Sequence, residues 1–316
     1  MRSGMAFFRR SRATLGRSER LAMGWHGALQ PAGLNLSLIK LFATLVFVSF
    51  RCLEGFAAEP MPVPVSGLHN SFRVTDRIFS GSQPDGDSAF AELARLGVKT
   101  IVSVDGAKPD VATARKYGLR TIHLPLGYDG VPAARIAELT RAASTLTGAL
   151  YVHCHHGKHR GPTAVAIICE AAEGWDAERA EAWLRQAGTA DDYPGLYRSV
   201  REFRPATKAQ MEQGGELPEQ AKTPALVDVM VAFDARLDAL KAAPATAGAQ
   251  PATLLWEQLR ELKRSEAAAA RPADYLTMLG DAEKAALELR HSMSNAGVRA
   301  LSESCAACHK KYRNRK

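Results

Sequence analysis

Between residues 66 and 204, short β-rich runs alternate with stretches whose apolar positions recur at helical spacing. Strands are predicted at 77–81, 99–104 (KTIVSV), 119–125 (LRTIHLP) and 149–153 (ALYVH). Helices are predicted at 88–96, 111–117, 133–145 and 163–172. Strands alternating with helices imply an α/β domain, a parallel or mixed sheet flanked by helices. The segment 205–223 is polar, carries Pro and a Gly-Gly pair, and reads as a linker. From Pro224 the strand pattern stops. Ala and Leu dominate, and helical stretches follow at 224–242, 251–268, 273–293 and 296–313. The first has its apolar stripe at Leu226, Met230, Phe233, Leu237 and Leu240. Four such helices with short connections predict an all-α, antiparallel four-helix bundle over 224–316. The α/β domain is bounded at 59–204, and residues 1–58 form a separate leader.

Composition changes this picture mainly at the leader. An apolar content of 46% and a charged content of 23% exclude wholesale disorder, and five cysteines in 316 residues exclude a disulfide scaffold. The net charge of +8 invites a nucleic-acid partner. Six of those charges, however, lie in residues 1–58 (Arg2, Arg9, Arg10, Arg12, Arg17, Arg20, Lys40 and Arg51 against Glu19 and Glu54). The basic stretch precedes an apolar run, Leu41 to Phe50, and then the small residues of GFAAEP. That order is a secretory signal peptide, with Gly55 and Ala57 at the small-residue positions before a cut after Ala57. The apolar run is too short to span a bilayer. Arg51 before Cys52 argues against a lipobox, and Arg9–Arg10 lie far from the apolar run. The expectation is Sec-type export to the periplasm, no nucleic-acid partner, and membrane contact only through an uncut leader.

The strand at 149–153 runs into His153-Cys154-His155-His156-Gly157-Lys158-His159-Arg160-Gly161-Pro162-Thr163 and then a helix. A loop from a strand end into a helix N-terminus turns its amides inward and adds the positive end of the helix dipole. That environment stabilises phosphate oxygens and equally a thiolate. Arg160 can hold two phosphate oxygens in its fork, and Gly157 gives the loop a position free for positive φ. The parts suit attack by Cys154 on phosphorus through a phosphocysteine. Histidines 155, 156 and 159 would favour an anion if protonated. Cys169, inside an apolar helix, reads as core.

The loop, His-Cys, five residues, Arg, resembles that of the cysteine-dependent protein phosphatases, in particular the dual-specificity branch and its bacterial relatives. The likeness extends over about 66–204 and includes HNSFRVTDRIFSGSQPD. A rhodanese-like loop has one residue fewer before its arginine. The resemblance implies Cys154 as nucleophile, Arg160 as phosphate clamp and His153 as a support that tunes the thiol. It implies phosphate binding by the backbone of His155, His156, Gly157, Lys158, His159 and Gly161. It also implies a general acid on the loop after the preceding strand, where Asp129 stands; Asp105 is the second candidate. The family usually has Ser or Thr after the arginine to help the thiolate leave. This chain has Gly161, so a slow second step is expected.

Near the C-terminus stand Cys305-Ala306-Ala307-Cys308-His309 and KKYRNRK. C-x-x-C-H reads as covalent attachment of one haem c, with Cys305 and Cys308 on one helical face and His309 as axial ligand to the iron. A thioredoxin-like site would need a strand before its helix, and a zinc site another ligand pair. A haem motif on the last helix of a bundle resembles the cytochrome c-prime family, over about 224–316. That resemblance implies a methionine sixth ligand on the first helix. Met230 is the candidate, with a plain core role as its rival. Met278, Met293 and His291 are alternatives. Without a sixth ligand the iron could bind a small gas.

The expected function is therefore an exported phosphomonoester or protein phosphatase fused to a haem c domain for electron transfer or sensing. Its expected partners are a phosphorylated protein or small phosphomonoester, a redox partner protein, and a second copy through the bundle. The alternative is a redox or gas-sensing cytochrome whose phosphatase-like part only binds anions. In a third version the haem gates the phosphatase.

Overall fold

The computed structural model describes residues 59–213, 215–242 and 248–313. The expected leader, with its cleavage site and Cys52, lies outside the described residues.

The sheet contains β1 (Met61–Pro62), β2 (Phe72–Arg73), β3 (Ile78–Gly81), β4 (Val98–Ser103), β5 (Arg120–His123) and β6 (Ala149–His153), in the order β1-β2-β3-β6-β4-β5. The first two pairings are antiparallel, and the rest are parallel. The sheet is thus mixed, and β3, β4 and β6 are almost wholly buried because helices cover both faces. One face packs on α1 (Gly86–Arg95) and α2 (Val111–Lys116), with Phe90, Leu93, Ile101 and Tyr151 inside. The other packs on α3 (Ala133–Thr145), α4 (Arg160–Ala172), α5 (Ala177–Gln186) and α6 (Pro194–Arg201), with Leu139, Val152, Ile167, Trp183 and Val200 inside. Helix α4 starts at Arg160, earlier than the apolar pattern indicates, because its first turn is part of the loop after β6.

The segment 205–223 is not a free tether. It contains α7 (Lys208–Gln213) and then folds back onto the α/β domain. The Arg141 guanidinium donates to the Met211 carbonyl (2.9 Å), the His123 amide donates to Pro218 O (2.8 Å), and Leu217 is buried in the sheet's core. The Ala221 amide donates to His123 Nδ1 (3.1 Å), so the proton sits on Nε2, which donates to the Asp105 carbonyl (2.8 Å). Polar composition hid this docking, because backbone groups carry most of it.

The C-terminal region holds α8 (Leu226–Ala242), α9 (Gln250–Lys263), the short α10 (Glu266–Ala269), α11 (Ala273–His291) and α12 (Asn295–Tyr312). Helices α8, α9, α11 and α12 pack in that order around a core including Phe233, Leu237, Leu255, Leu259, Leu279 and Leu301. The stretch expected as one helix over 251–268 breaks at Ser265, whose hydroxyl caps α10 by accepting from the Ala268 amide (3.2 Å). The described residues form one compact unit. Yet the bundle's apolar core shares no residue with the sheet's cores. Ion pairs and hydrogen bonds join the two parts.

Candidate functional site

The loop between β6 and α4 brings Cys154, Gly157, Arg160 and Gly161 together. Gly157 has φ +69°, and a Cβ there would stand 2.4 Å from the Gly81 carbonyl carbon, so the loop is pressed against the end of β3. A Cβ on Gly161 would lie 3.1 Å from the Cys154 amide nitrogen and 3.5 Å from Cys154 Sγ. Position 161 therefore touches the sulfur directly. Thr163 does not supply the missing hydroxyl, because its Oγ1 donates to the His159 carbonyl (3.0 Å).

Arg160 is fully buried and Cys154 is 2 % exposed. Arg160 Nη2 donates to Asp105 Oδ1 (3.0 Å), and Nη1 donates to the Leu126 carbonyl (3.2 Å) and Glu261 Oε2 (2.6 Å). The Tyr128 ring lies under the guanidinium, 4.2 Å from its carbon. Nε is buried and has no hydrogen-bond partner. One edge of the fork is thus unused, and it suits an incoming acceptor. Burial opposes the Arg160 charge, but Tyr128, Glu261, Asp105 and Cys154 around it outweigh burial and keep it protonated.

Asp105 is 1 % exposed and takes Arg264 Nη1 on Oδ2 (2.7 Å) and Nη2 on Oδ1 (2.9 Å). Burial alone would raise its pKa, but the Arg264 bonds and the Arg160 charge hold it well below the carboxylate range. Held between two guanidiniums, Asp105 is placed as an ion-pair partner and not as a proton donor. It orients Arg160 instead.

The loop bearing Asp129 borders the site through Leu126 and Tyr128. The Asp129 carboxylate itself is paired at the surface with Arg236 of α8 (3.0 Å), with its side chain 54 % exposed. His153 is buried under Tyr151, with ring centroids 5.8 Å apart, and burial brings its pKa to about 4. Burial likewise brings His155 and His159 to about 4 and lowers His156. The condition on which these histidines would favour an anion is therefore not met: near pH 7 the rings are neutral and pack. His159 lies tilted against Tyr193 (4.2 Å between centroids), His155 against His156 (4.2 Å), and His156 meets Arg260 of α9. Lys158 is exposed, its stem lying along Gly188. Cys169 is buried in α4, and burial raises its thiol strongly.

Sequence reasoning missed Tyr128, Arg264, Glu261, Glu257 and Tyr193. Glu257 is buried and accepts from the Tyr193 hydroxyl (2.6 Å). Tyr128 and Tyr193 flank the motif, and their aromaticity was a usable signal. The residues on α9 gave none.

A second site lies in the bundle. A small cavity of about 30 Å³ is lined by Met230, Phe233 and Asp234 of α8, Gln258, Leu259 and Leu262 of α9, Met278 and Leu279 of α11, and Cys305, Cys308 and His309 of α12. Two thiols and an imidazole on one helix meet apolar walls there, the donor types and the surroundings that a covalently held, largely apolar group uses. Both cysteines are free and face the same cavity, and Met230 reaches it from another helix. Met278 also lines it. Met293 packs against the bundle core away from that lining, and His291 is exposed at the end of α11. No group of three metal-ligating His, Cys, Asp or Glu occurs among the described residues.

Residues 71–213 match the family described as PTP-SAK: Swiss Army Knife protein, DSP-PTPase phosphatase domain. Among individual proteins, the chain is similar to the dual specificity protein phosphatase TpbA of Pseudomonas aeruginosa (strain UCBPP-PA14). The two are 29% identical over 125 residues, 39% of this chain and 56% of the relative. The chain thus spans about half the length of the curated relatives it matches. A crystal structure of P. aeruginosa TpbA is similar at 25% identity, covering 51% of this chain and 99% of that one, with a TM-score of 0.42. A crystal structure of human DUSP28 is similar at 21% identity, covering 45% and 97%, with a TM-score of 0.35.

Proposed function

We propose that the chain is an exported phosphomonoesterase acting on a phosphorylated protein or small phosphomonoester, fused to a haem c domain. The observation that carries the first half is the buried, protonated Arg160 with its unpartnered Nε, set in one loop with Cys154 at the start of α4. In this reading Cys154 Sγ attacks phosphorus and the bond to the leaving oxygen breaks. Asp129, released from Arg236, gives that oxygen a proton. Asp129 then takes a proton from water as the water attacks phosphorus and the S–P bond breaks, returning the thiolate and inorganic phosphate. Arg160 and the loop amides hold the phosphoryl oxygens throughout.

Gly161 offers no hydroxyl to the departing sulfur, so the phosphocysteine should accumulate. Rapid acid quenching during hydrolysis of an aryl phosphate is expected to yield a phosphorylated peptide containing Cys154, and a pre-steady-state burst. Gly161→Ser, which needs only a small shift of the loop, should shrink the burst and raise the steady rate about tenfold or more, the worth of one hydrogen bond to a charged group. No trapped phosphopeptide and no burst would remove the slow second step.

For the second half, Cys305 and Cys308 would hold the porphyrin by thioethers, His309 would ligate the iron, and Met230 is proposed as the sixth ligand. The bound group supplies a one-electron iron centre. Helices α8, α9 and α11 keep water from it. In alkaline pyridine the reduced protein should show the α-band of haem c, and the Cys305→Ala, Cys308→Ala double variant should lose covalent haem. A high-spin spectrum unchanged by Met230→Ala would remove Met230 as ligand. Electron exchange with a redox partner and pairing of two copies through the bundle belong to the same proposal.

A further inference from the structure

Helix α9 has two working faces. Gln258, Leu259 and Leu262 line the cavity beside Cys305 and Cys308, while on the other side Glu257 meets Tyr193, Glu261 meets Arg160 and Arg264 meets Asp105. The Glu261 carboxylate fills a notch that exists because residue 106 is glycine: a Cβ there would stand 1.4 Å from Glu261 Oε1 and 2.1 Å from its Cδ. From this notch the carboxylate takes Arg160 Nη1 at 2.6 Å. An anion bound to the loop arginine is what a substrate phosphate would be. The charge balance agrees. Arg160 and Arg264 face Asp105 and Glu261, two cations against two anions, so Glu261 already takes up charge that a phosphate on Arg160 would meet. A second contact from the bundle bears on the same chemistry, because Arg236 of α8 holds the Asp129 carboxylate at the surface.

Resting on the phosphatase reading above, we propose that the docked bundle is an internal inhibitor of the phosphatase site. Glu261 holds Arg160 by Nη1 and neutralises its charge, Arg236 withholds Asp129, and substrate enters only when α9 leaves the loop. The surface between the two parts suits such a release. It is polar: Lys108 pairs with Glu266 (2.6 Å), Arg290 with Asp192 (2.6 Å), and Thr253 donates to Asp192 (3.0 Å). Polar interfaces within one chain resemble transient ones and weaken with salt. The inhibiting face shares its helix with the wall of the Cys305–Cys308 cavity, so a change in that wall reaches the loop without an intermediate element.

The test reads access to Cys154 without requiring turnover. Full-length, haem-loaded protein is treated with iodoacetate, an anion whose iodide the Cys154 thiolate displaces, and peptides are mapped by mass. Glu261→Ala removes the carboxylate from the bundle side. Gly106→Ala evicts it from the phosphatase side. Each is expected to speed carboxymethylation of Cys154 about tenfold or more, as for loss of a charged hydrogen bond, while Cys169 in α4 stays unlabelled. Wild-type rates in both variants would overturn the proposal, and so would labelling of Cys169 in step with Cys154, which would mean general loosening. Aryl phosphate hydrolysis is measured on the same samples. Faster labelling with no hydrolysis in any of them would keep the closure and refute the phosphatase reading. Equal hydrolysis and labelling in all three would do the reverse.

Discussion

Cys154→Ser is expected to lower aryl phosphate hydrolysis by on the order of 10⁴-fold or more, the scale seen when a covalent nucleophile is lost. A serine hydroxyl keeps its proton near neutral pH, and none of the neutral histidines around the loop is placed to take it: His153 Nδ1 faces the Cys154 carbonyl at 3.4 Å and His159 lies against Tyr193. The substitution shortens one buried side chain without adding volume, so the loop and Arg160 should keep their places. Phosphate binding should therefore survive while turnover disappears. Calorimetry with inorganic phosphate, alongside the rate assay, checks this, and both are best run in the Glu261→Ala background, where the loop is expected to be open. A residual rate within tenfold of wild type would place the nucleophile elsewhere.

Both motifs stand out in the sequence because each is contiguous. Cys154 to Arg160 is one loop, and Cys305 to His309 is little more than one helical turn. Their spacing survives in any reading of the chain. The mixed sheet and the helical region were legible for a similar reason, since apolar periodicity is local. What joins them was not. Arg160 and Glu261 are 101 residues apart, and Asp105 and Arg264 are 159 apart. On the sequence, Glu257, Glu261 and Arg264 form the polar side of an amphipathic helix, a pattern that a solvated helix would show equally. The notch at Gly106 leaves no trace either, because that glycine lacks a positive φ and looks like a turn residue. Charge misled as well. Three histidines beside a cysteine suggested cations, yet burial makes them neutral packing groups. Asp105 looked like a spare acid, although two guanidiniums keep it ionised.

That buried carboxylate carries the largest expected change in stability. Asp105→Asn preserves shape and removes one negative charge between Arg160 and Arg264, leaving both to share Glu261. Breaking a buried ion pair from one side costs about 3–5 kcal/mol, and here part of that should appear as a lower urea midpoint at pH 7. The sign with pH follows from the depressed pKa of Asp105. Its stabilisation is fully present above the ordinary aspartate value of 3.8 and is lost only as pH falls below that toward the lower folded value. Wild type should therefore lose stability on acidification below about pH 4, with Asp105 supplying a share that the variant lacks. The gap between the two proteins should narrow as pH drops. Arg264→Met should be less costly in the Asp105→Asn background than in wild type, because the carboxylate it would strand is already neutral. Additive losses, or a gap that stays constant from pH 7 to pH 3, would mean that Asp105 acts through packing and not through its charge. In that case Arg160 would owe its orientation to Tyr128 and the Leu126 carbonyl, and Asp105→Asn should leave phosphate binding to the open loop unchanged.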